Sequence, residues 1–304
     1  MRRRRFVRTL GTGAAGTLLL PAFARGQEAR RLVLLHTNDT HSRIDPFPAD
    51  GGPMSDLGGV ARRASLVERI RAEEPNVLLL DSGDMVQGTA YFNLFGGEVE
   101  MRTMTELGYA MSTLGNHEFD NGVDGLVSML EHAGFPLVCA NYEIDDPRLA
   151  RHVEPWRIRE VDDLRIGIFG LGIDFRGLVL DHNHEGVRYT DPLAAARQAV
   201  DVLRHDEACD LVVCLSHLGH EYRGDRPSDL RLATEVPGLD IVLGGHTHTF
   251  LDAPVLHTHP DGSSTLVHQV GWGGVRLGRI DVTFEERGVV AVGGAGYTVG
   301  PRSV

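Results

Sequence analysis

Histidines, carboxylates and one amide collect at a few points of this chain, each directly after a short apolar run. The run 32–36 leads into Thr37-Asn38-Asp39-Thr40-His41, the run 76–80 into Asp81-Ser82-Gly83-Asp84, and the run 109–114 into Gly115-Asn116-His117-Glu118. Two more follow: 210–216 ends at His217, and 239–245 at His246-Thr247-His248. None of the five supplies a cysteine. Oxygen and nitrogen donors without thiolate suit Mn, Zn, Fe, Co or Mg, and exclude an iron–sulfur cluster or a closed structural zinc site. A lone histidine beyond a strand is usually an ordinary loop residue, but five such ends in succession form a pattern.

Spacing by itself does not single out the last of them. The arrangement His-x-His occurs three times among the 15 histidines, at 182/184, 246/248 and 257/259. His182-Asn183-His184 lies in a polar loop, and His257-Thr258-His259 precedes the turn signal Pro260-Asp261-Gly262, so neither is expected to bind metal. His246-Thr247-His248 follows a buried-strand pattern and Gly244-Gly245. Those glycines are expected to let the backbone turn close to an ion, with His246 and His248 as alternating residues of a still-extended segment.

The elements that must position these groups alternate along the chain. Apolar runs at 32–36, 76–80, 109–114, 136–140, 210–216 and 239–245 read as strands. Amphipathic stretches at 59–74, 98–107, 123–134 and 192–206 read as helices, and 153–172 as a hairpin-like piece. Strands alternating with helices imply a sheet covered on both faces, where reactive groups gather at the strand ends. Residues 264–298 change to strand-like runs with Gly-rich turns, which predicts an antiparallel closing sheet and a two-sheet sandwich flanked by helices.

The set DTH, GDMVQG, GNHEFD, SHLGH and GHTH, in this order, resembles the calcineurin-like metallophosphoesterases. The stretches LLHTNDTHSRI and GNHEFDNG resemble the 5′-nucleotidase branch, and the likeness spans residues 32–285. It implies an α/β fold, a four-layer α/β/β/α sandwich of two mixed sheets. It also implies two divalent ions, one held by Asp39, His41 and His248, the other by Asn116, His217 and His246, with Asp84 bridging. His117 matches the family's catalytic histidine and Asp120 the acid that orients it; Asn116 and His117 are the expected substrate contacts. Chemically the set is coherent. Two close divalent ions need a bridging anion, and with only two carboxylates among the ligands a positive well remains for a phosphate. Water activated on the metals frees His117 to steady the phosphate or protonate the leaving alkoxide.

Composition sets the surroundings. Residues 1–24 carry an arginine block, an apolar stretch and Ala22-Phe23-Ala24, which reads as a cleaved signal peptide, with Arg3, Arg4 and Phe6 resembling the twin-arginine pattern. Gly11-Thr12-Gly13-Ala14-Ala15-Gly16 imitates a dinucleotide fingerprint but lies inside that segment with no strand before it. Residues 25–31 read as a flexible lead-in and 32–304 as one catalytic domain. Removing residues 1–24 takes five arginines from the 30 basic residues and leaves 42 acids, so the formal charge moves from −12 to −17. Such a surface repels nucleic acid and anionic membranes, with no stable membrane insertion expected once the signal is cleaved, and the signal itself predicts a periplasmic or extracellular protein. Cys139, Cys209 and Cys214 make no disulfide framework and are expected as buried thiols.

The expected function is metal-dependent hydrolysis of a small phosphate ester, a 5′-nucleotide or relative, by hydroxide generated on the metals. A thiosulfonate ester on the same site and a non-catalytic scaffold are the alternatives. The two-domain 5′-nucleotidases that the chain resembles carry a following domain that stacks the base, and no base-stacking aromatic pair stands out here. A separate polypeptide is therefore the expected source of nucleotide selectivity.

Overall fold

Eight residues of RRLVLLHT form β1 (Arg30–Thr37), whose last six are buried on both faces. A strand covered on both sides reads as a continuous apolar run rather than an alternating one. The computed structural model describes residues 30–285 and 288–303. The signal peptide and residues 25–29 of the lead-in lie outside the described residues. From β1 the chain passes through α1 (Val60–Glu73) into β2 (Val77–Asp81), then through α2 (Ala90–Phe95) and α3 (Glu98–Glu106) into β3 (Tyr109–Met111). Val60, Leu66, Val67 and Ile70 make the buried stripe of α1 at helical spacing. After α4 (Gly122–Leu130) come β4 (Leu137–Val138), β5 (Tyr142–Ile144), the one-turn α5 (Pro147–Ala150) and β6 (Val153–Glu154).

The hairpin-like piece is a true hairpin, β7 (Trp156–Val161) and β8 (Leu164–Leu171). Asp162 and Asp163 turn it with φ of 50° and 59°, the paired left-handed conformation that a two-residue hairpin loop favours. β9 (Val187–Tyr189) leads to α6 (Pro192–Asp201), started by the Asp191 carboxylate accepting from Leu193 N and Ala194 N, with Pro192 in the first turn. β10 (Leu211–Ser216), α7 (Asp229–Glu235) and β11 (Ile241–Gly244) complete the alternation. β12 (Val255–Thr258), β13 (Ser264–His268), β14 (Arg276–Glu285) and β15 (Gly288–Thr298) follow.

One sheet has the order β15-β14-β1-β2-β3, the other β12-β13-β11-β10-β8-β7, and both mix parallel and antiparallel pairs. Leu32, Leu34 and Leu80 of the first sheet meet Ile166, Val213 and Leu243 of the second in a core between the sheets. Val33, Leu35 and Leu79 turn outward onto the helices α1, α3 and α4; Phe169, Val212 and Val242 turn outward onto α6 and α7. The layers run helix, sheet, sheet, helix, which is the four-layer arrangement expected from the sequence.

The tail differs from expectation. It forms no closing sheet of its own but divides between the two: β13 pairs parallel with β11, whereas β14 pairs antiparallel with β1. The division covers an edge of each sheet, and leaves fewer unpaired backbone groups than a separate third sheet would. All three cysteines are buried and free. No helix among the described residues is long and apolar enough to cross a membrane.

Candidate metal centre

The parallel strands β1, β2 and β3 in one sheet, and β10 and β11 in the other, end on one shared edge of the sandwich. Contacts across the sheets hold that edge together: Ser82 Oγ donates to Leu243 O at 2.8 Å, and His217 Nδ1 donates to Ser82 O at 2.6 Å. Beyond β1 and β2 the chains stay paired, with Asp39 N on Gly83 O (2.9 Å), His41 N on Asp84 O (3.1 Å) and Ser42 N on Met85 O (3.0 Å). Asn38 fixes the first loop by donating to Gly271 O (2.5 Å) and to Asp39 Oδ2 (2.6 Å), and by accepting from Val270 N (3.0 Å).

The GHTH segment does not stay extended. β11 ends at Gly244, Thr247 N donates to Gly245 O (2.9 Å), and His246 and His248 take φ of 71° and 52°. A tight turn, rather than strand alternation, aims both rings. The glycines serve closeness more than turning, since neither has a positive φ. A Cβ on Gly245 would stand 2.8 Å from Ser82 O and 2.9 Å from His217 Nδ1. Asp39 accepts His246 N on both carboxylate oxygens, at 3.0 and 2.9 Å, which ties the first loop to the last.

The predicted residues converge. Asp39, His41 and His248 offer ligand atoms within 4.8 Å of one another, and so do Asp84, His217 and His246. A third such set, His41, Asp84 and His117, joins them. Asp84 is common to the last two. Asn116 lies at the second cluster, with Oδ1 3.0 Å from His246 Nδ1. His117 Nδ1 is 2.8 Å from Asp120 Oδ2, and the His117 backbone N–H donates to Asp84 Oδ1 at 2.9 Å. Within SHLGH only His217 enters the cluster; His220 donates its backbone N–H to Thr247 Oγ1 (2.9 Å).

A cation suits this donor set. With His217 Nδ1 donating to Ser82 O, its buried Nε2 faces Asp84 Oδ2 at 3.1 Å, and only a positive charge, a proton or a metal ion, reconciles the two atoms. His41 Nε2 and His248 Nε2 likewise meet at 3.0 Å, while His41 Nδ1 is 3.3 Å from Val86 O. Acceptor-capable atoms crowded in this way favour a positive charge between them. Titration behaviour agrees. Burial opposes charge on His217, but the Asp84 and Asp39 carboxylates and the Ser82 carbonyl outweigh it and lift its pKa to about 10. Burial opposes charge on Asp84 too, and His217, His41 and His117 hold its carboxyl far below the usual range. His246 goes the other way, lowered to about 4 by burial and by His217. The hydrogen bond with Asp120 raises His117 to about 9 against its partial burial.

Sequence reasoning passed over two residues here. Glu118 is buried and accepts from Asp84 N (3.0 Å), Met85 N (2.8 Å) and Gly115 N (2.6 Å), so its carboxylate shapes the turn that presents Asp84. It stands inside GNHEFD, and only its burial separates it from the half-exposed Asp120. Trp272 stacks on the His248 ring, centroids 5.6 Å apart and planes at 16°, and meets Phe47 edge-on at 5.4 Å. Glycines flank it on both sides in the sequence, a signal that a bulky ring is set in a tight loop. The two other His-x-His pairs stay apart from the cluster: His184 stacks on Phe175 at 4.3 Å, and His259 Nε2 lies 3.1 Å from Thr265 Oγ1.

Residues 32–250 match the calcineurin-like phosphoesterase family. The chain belongs to that family. Among relatives of this phosphoesterase, the 5′-nucleotidase of Bos taurus is 36% identical over 298 residues, which cover 91% of this chain and 50% of the bovine one. A 5′-nucleotidase precursor from Thermus thermophilus superposes with a TM-score of 0.83 at 34% identity, over 90% of this chain and 56% of that one. A sulfate thiohydrolase from the same organism shares the fold, with a TM-score of 0.71 at 19% identity, over 93% of this chain and 58% of its own. The chain thus spans about half the length of the 5′-nucleotidases it matches.

Proposed function

We propose that the chain is an exported two-metal phosphoesterase that hydrolyses 5′-nucleotides or closely related phosphate esters. One observation carries the reading: Asp84, held by Glu118 through its backbone, stands where the His/Asp clusters meet, with the buried His217 Nε2 3.1 Å from its carboxylate. Asp39, His41 and His248 would hold one divalent ion, and Asn116, His217 and His246 the other, with Asp84 shared. Lewis acidity, to activate water and to offset the charge of the ester, is what two divalent ions supply when bound there.

The chain's own groups do the rest. His117, with Nδ1 engaged by Asp120, whose hydrogen bond favours the protonated ring, delivers a proton from Nε2 to the leaving oxygen. Asn116 and His117 orient the phosphate so that water attacks opposite the leaving group. The 5′-nucleotidase relatives support a nucleotide substrate, whereas the sulfate thiohydrolase is alike in fold alone. No residue here favours a sulfur ester.

The test is a substrate panel with the purified mature chain. AMP, a cyclic nucleotide, a UDP-sugar and a chromogenic phosphodiester are assayed with Mn, Zn, Co and Mg in turn. Phosphate release from AMP that chelator abolishes and metal restores is the expected result; inertness toward every phosphate ester with every metal would end the proposal. Export is tested separately. With Arg3 and Arg4 replaced by Lys, folded precursor should accumulate inside the cell, and undiminished mature protein outside would rule out the twin-arginine route.

A further inference from the structure

Beside the second ligand cluster the structure opens a cavity of about 790 Å³, within the size range of sites that enclose a small organic ligand. It lies at the ends of β8 and β10, strands of the sheet whose edge carries His217 and His246. Leu218, the residue after His217, lines it together with Ile173 and Leu193, and all three are buried from solvent. The loop that follows is tied back to the metal edge: Tyr222 Oη donates to Leu218 O at 2.9 Å, and His220 N donates to Thr247 Oγ1, between the two ligand histidines.

Three arginines line this cavity, and two are committed. Arg176 pairs with Asp174 at 2.5 Å and Arg231 with Glu235 at 2.7 Å. Arg226 has no ion-pair partner among the described residues, and its guanidinium lies over the Tyr222 ring, 4.1 Å from the centroid. The ring beneath it reaches the metal edge: a Cβ on Gly219 would collide with Tyr222 Oη and stand 2.7 Å from Thr247 Cγ2, so Tyr222 and the turn between the two ligand histidines close on the same glycine. An arginine held over a ring with no ion-pair partner keeps its fork of donors available, a form suited to a phosphate. Of the three carboxylates around the cavity, Asp174 is neutralised by Arg176, Asp191 is occupied by the first amides of α6, and Asp225 is exposed, on a segment whose carbonyl accepts from the Arg231 guanidinium.

We propose that this cavity is a leaving-group subsite within the domain itself, in which Arg226 binds a second phosphoryl group next to the one held at the metal centre and Tyr189 covers the nucleoside beyond. The substrate class it selects is the nucleoside 5′-diphosphate, cleaved at the terminal phosphate. The inference rests on the phosphoesterase reading and names its substrate. In the reaction the oxygen of water bonds to the terminal phosphorus as the bridging P–O bond breaks. The electron pair leaves on the nucleoside monophosphate, and inorganic phosphate and one proton are released. Selectivity for the nucleoside then has a source within this chain, in contrast to the separate polypeptide that the sequence led us to expect.

Two measurements on the mature chain test it, kinetics with ADP against AMP and equilibrium binding of the methylene-bridged ADP analogue to chelator-treated protein. A charge-assisted contact is worth ~1.5–3 kcal/mol, so Arg226→Ala should lower the ADP-to-AMP ratio of kcat/KM by about 10- to 100-fold. Analogue binding without metal should weaken by a similar factor, and Arg226→Lys should recover part of both. Arg226 is exposed, so the fold should survive either change. Tyr189→Ala should narrow the preference for ADP over inorganic pyrophosphate, which has no ring. A ratio altered less than twofold, or analogue binding indifferent to residue 226, would overturn the proposal. If the unaltered chain released phosphate from no ester with any metal, the phosphoesterase reading would fail, while the analogue titration would still decide for or against Arg226.

Discussion

The tripeptide His-Thr-His occurs twice in this chain, eleven residues apart in register, and the two copies do different things. At 246–248 it follows the end of a parallel strand inside the sheet, and both histidines take left-handed backbone and point at the carboxylates Asp39 and Asp84. At 257–259 it spans the end of β12, an edge strand, where His257 meets His259 ring to ring and His259 is satisfied by Thr265. The acid near the second copy, Asp261, is committed to the Ser263 amide and hydroxyl. Histidine spacing is therefore neutral information. What makes the first copy a candidate ligand pair is the buried carboxylate it faces, and the strand ends that bring that carboxylate there.

The largest effect should come from removing that difference. Asp84→Asn takes an anion from both clusters at once, and metal affinity should drop by more than the ~10- to 100-fold that loss of an outer-shell partner costs. Metal analysis after dialysis should find the ions gone and activity gone with them; two tightly held ions in a fully active variant would show that Asp84 is no bridge. Next in size is His117→Asn. It should keep both ions and lose about 10²- to 10⁴-fold in kcat, as for a general acid. Lost metal with undiminished activity per metal would make His117 a ligand, a role its place in the His41–Asp84–His117 set would allow.

Much of this contrast was legible in the sequence, and its limits have physical causes. Strands buried on both faces read as unbroken apolar runs, so β1, β2, β10 and β11 stand out, and the donors follow at their ends. The helices α2 and α7 were too short for helical periodicity to register, at six and seven residues. Division of the tail between two sheets depends on long-range pairing, such as Leu34 with Ile280, that local pattern does not carry. At the site, residue types were readable but backbone was not: Asp39, His41, Asp84, His246 and His248 all have positive φ. Such strain persists only where surrounding structure over-determines it, and Asn38 and Glu118 provide that here through backbone hydrogen bonds.

A third histidine pair extends the comparison to a place without acids. His36 of β1 and His268 of β13 are buried between the sheets, Nε2 to Nδ1 at 2.9 Å. Burial lowers both, His36 well below its ordinary value and His268 to about 4. Both are thus neutral when folded, whereas in the unfolded chain they take up protons below about 6.5. Their contribution is complete above that pH and is lost as pH falls toward 4, a loss of about 3 kcal/mol for His268. Urea unfolding of the metal-free chain at pH 7.5 and at pH 5 should show the loss, and His268→Gln should lessen it. An equal loss in that variant would place the acid sensitivity elsewhere.

The smallest effect belongs to the second His-Thr-His copy, where the comparison is most exposed to failure. Thr265 Oγ1 donates to Leu239 O at 2.7 Å, so its lone pairs face His259, whose Nε2–H must be the donor. A glutamine amide can donate to the same hydroxyl, so His259→Gln should cost no more than the ~1 kcal/mol of one hydrogen bond and leave metal content untouched. His248→Gln should do the reverse, with little change in the stability of the metal-free chain and more than tenfold weaker Zn binding, because a neutral amide oxygen is a poorer donor to Zn than an imidazole nitrogen. Titrating both variants with Zn after chelation, and unfolding both in urea, separates the two copies. If His259→Gln weakened metal binding as much as His248→Gln did, carboxylate context would not be what distinguishes the two tripeptides, and the assignment of His246 and His248 as ligands would lose its physical ground.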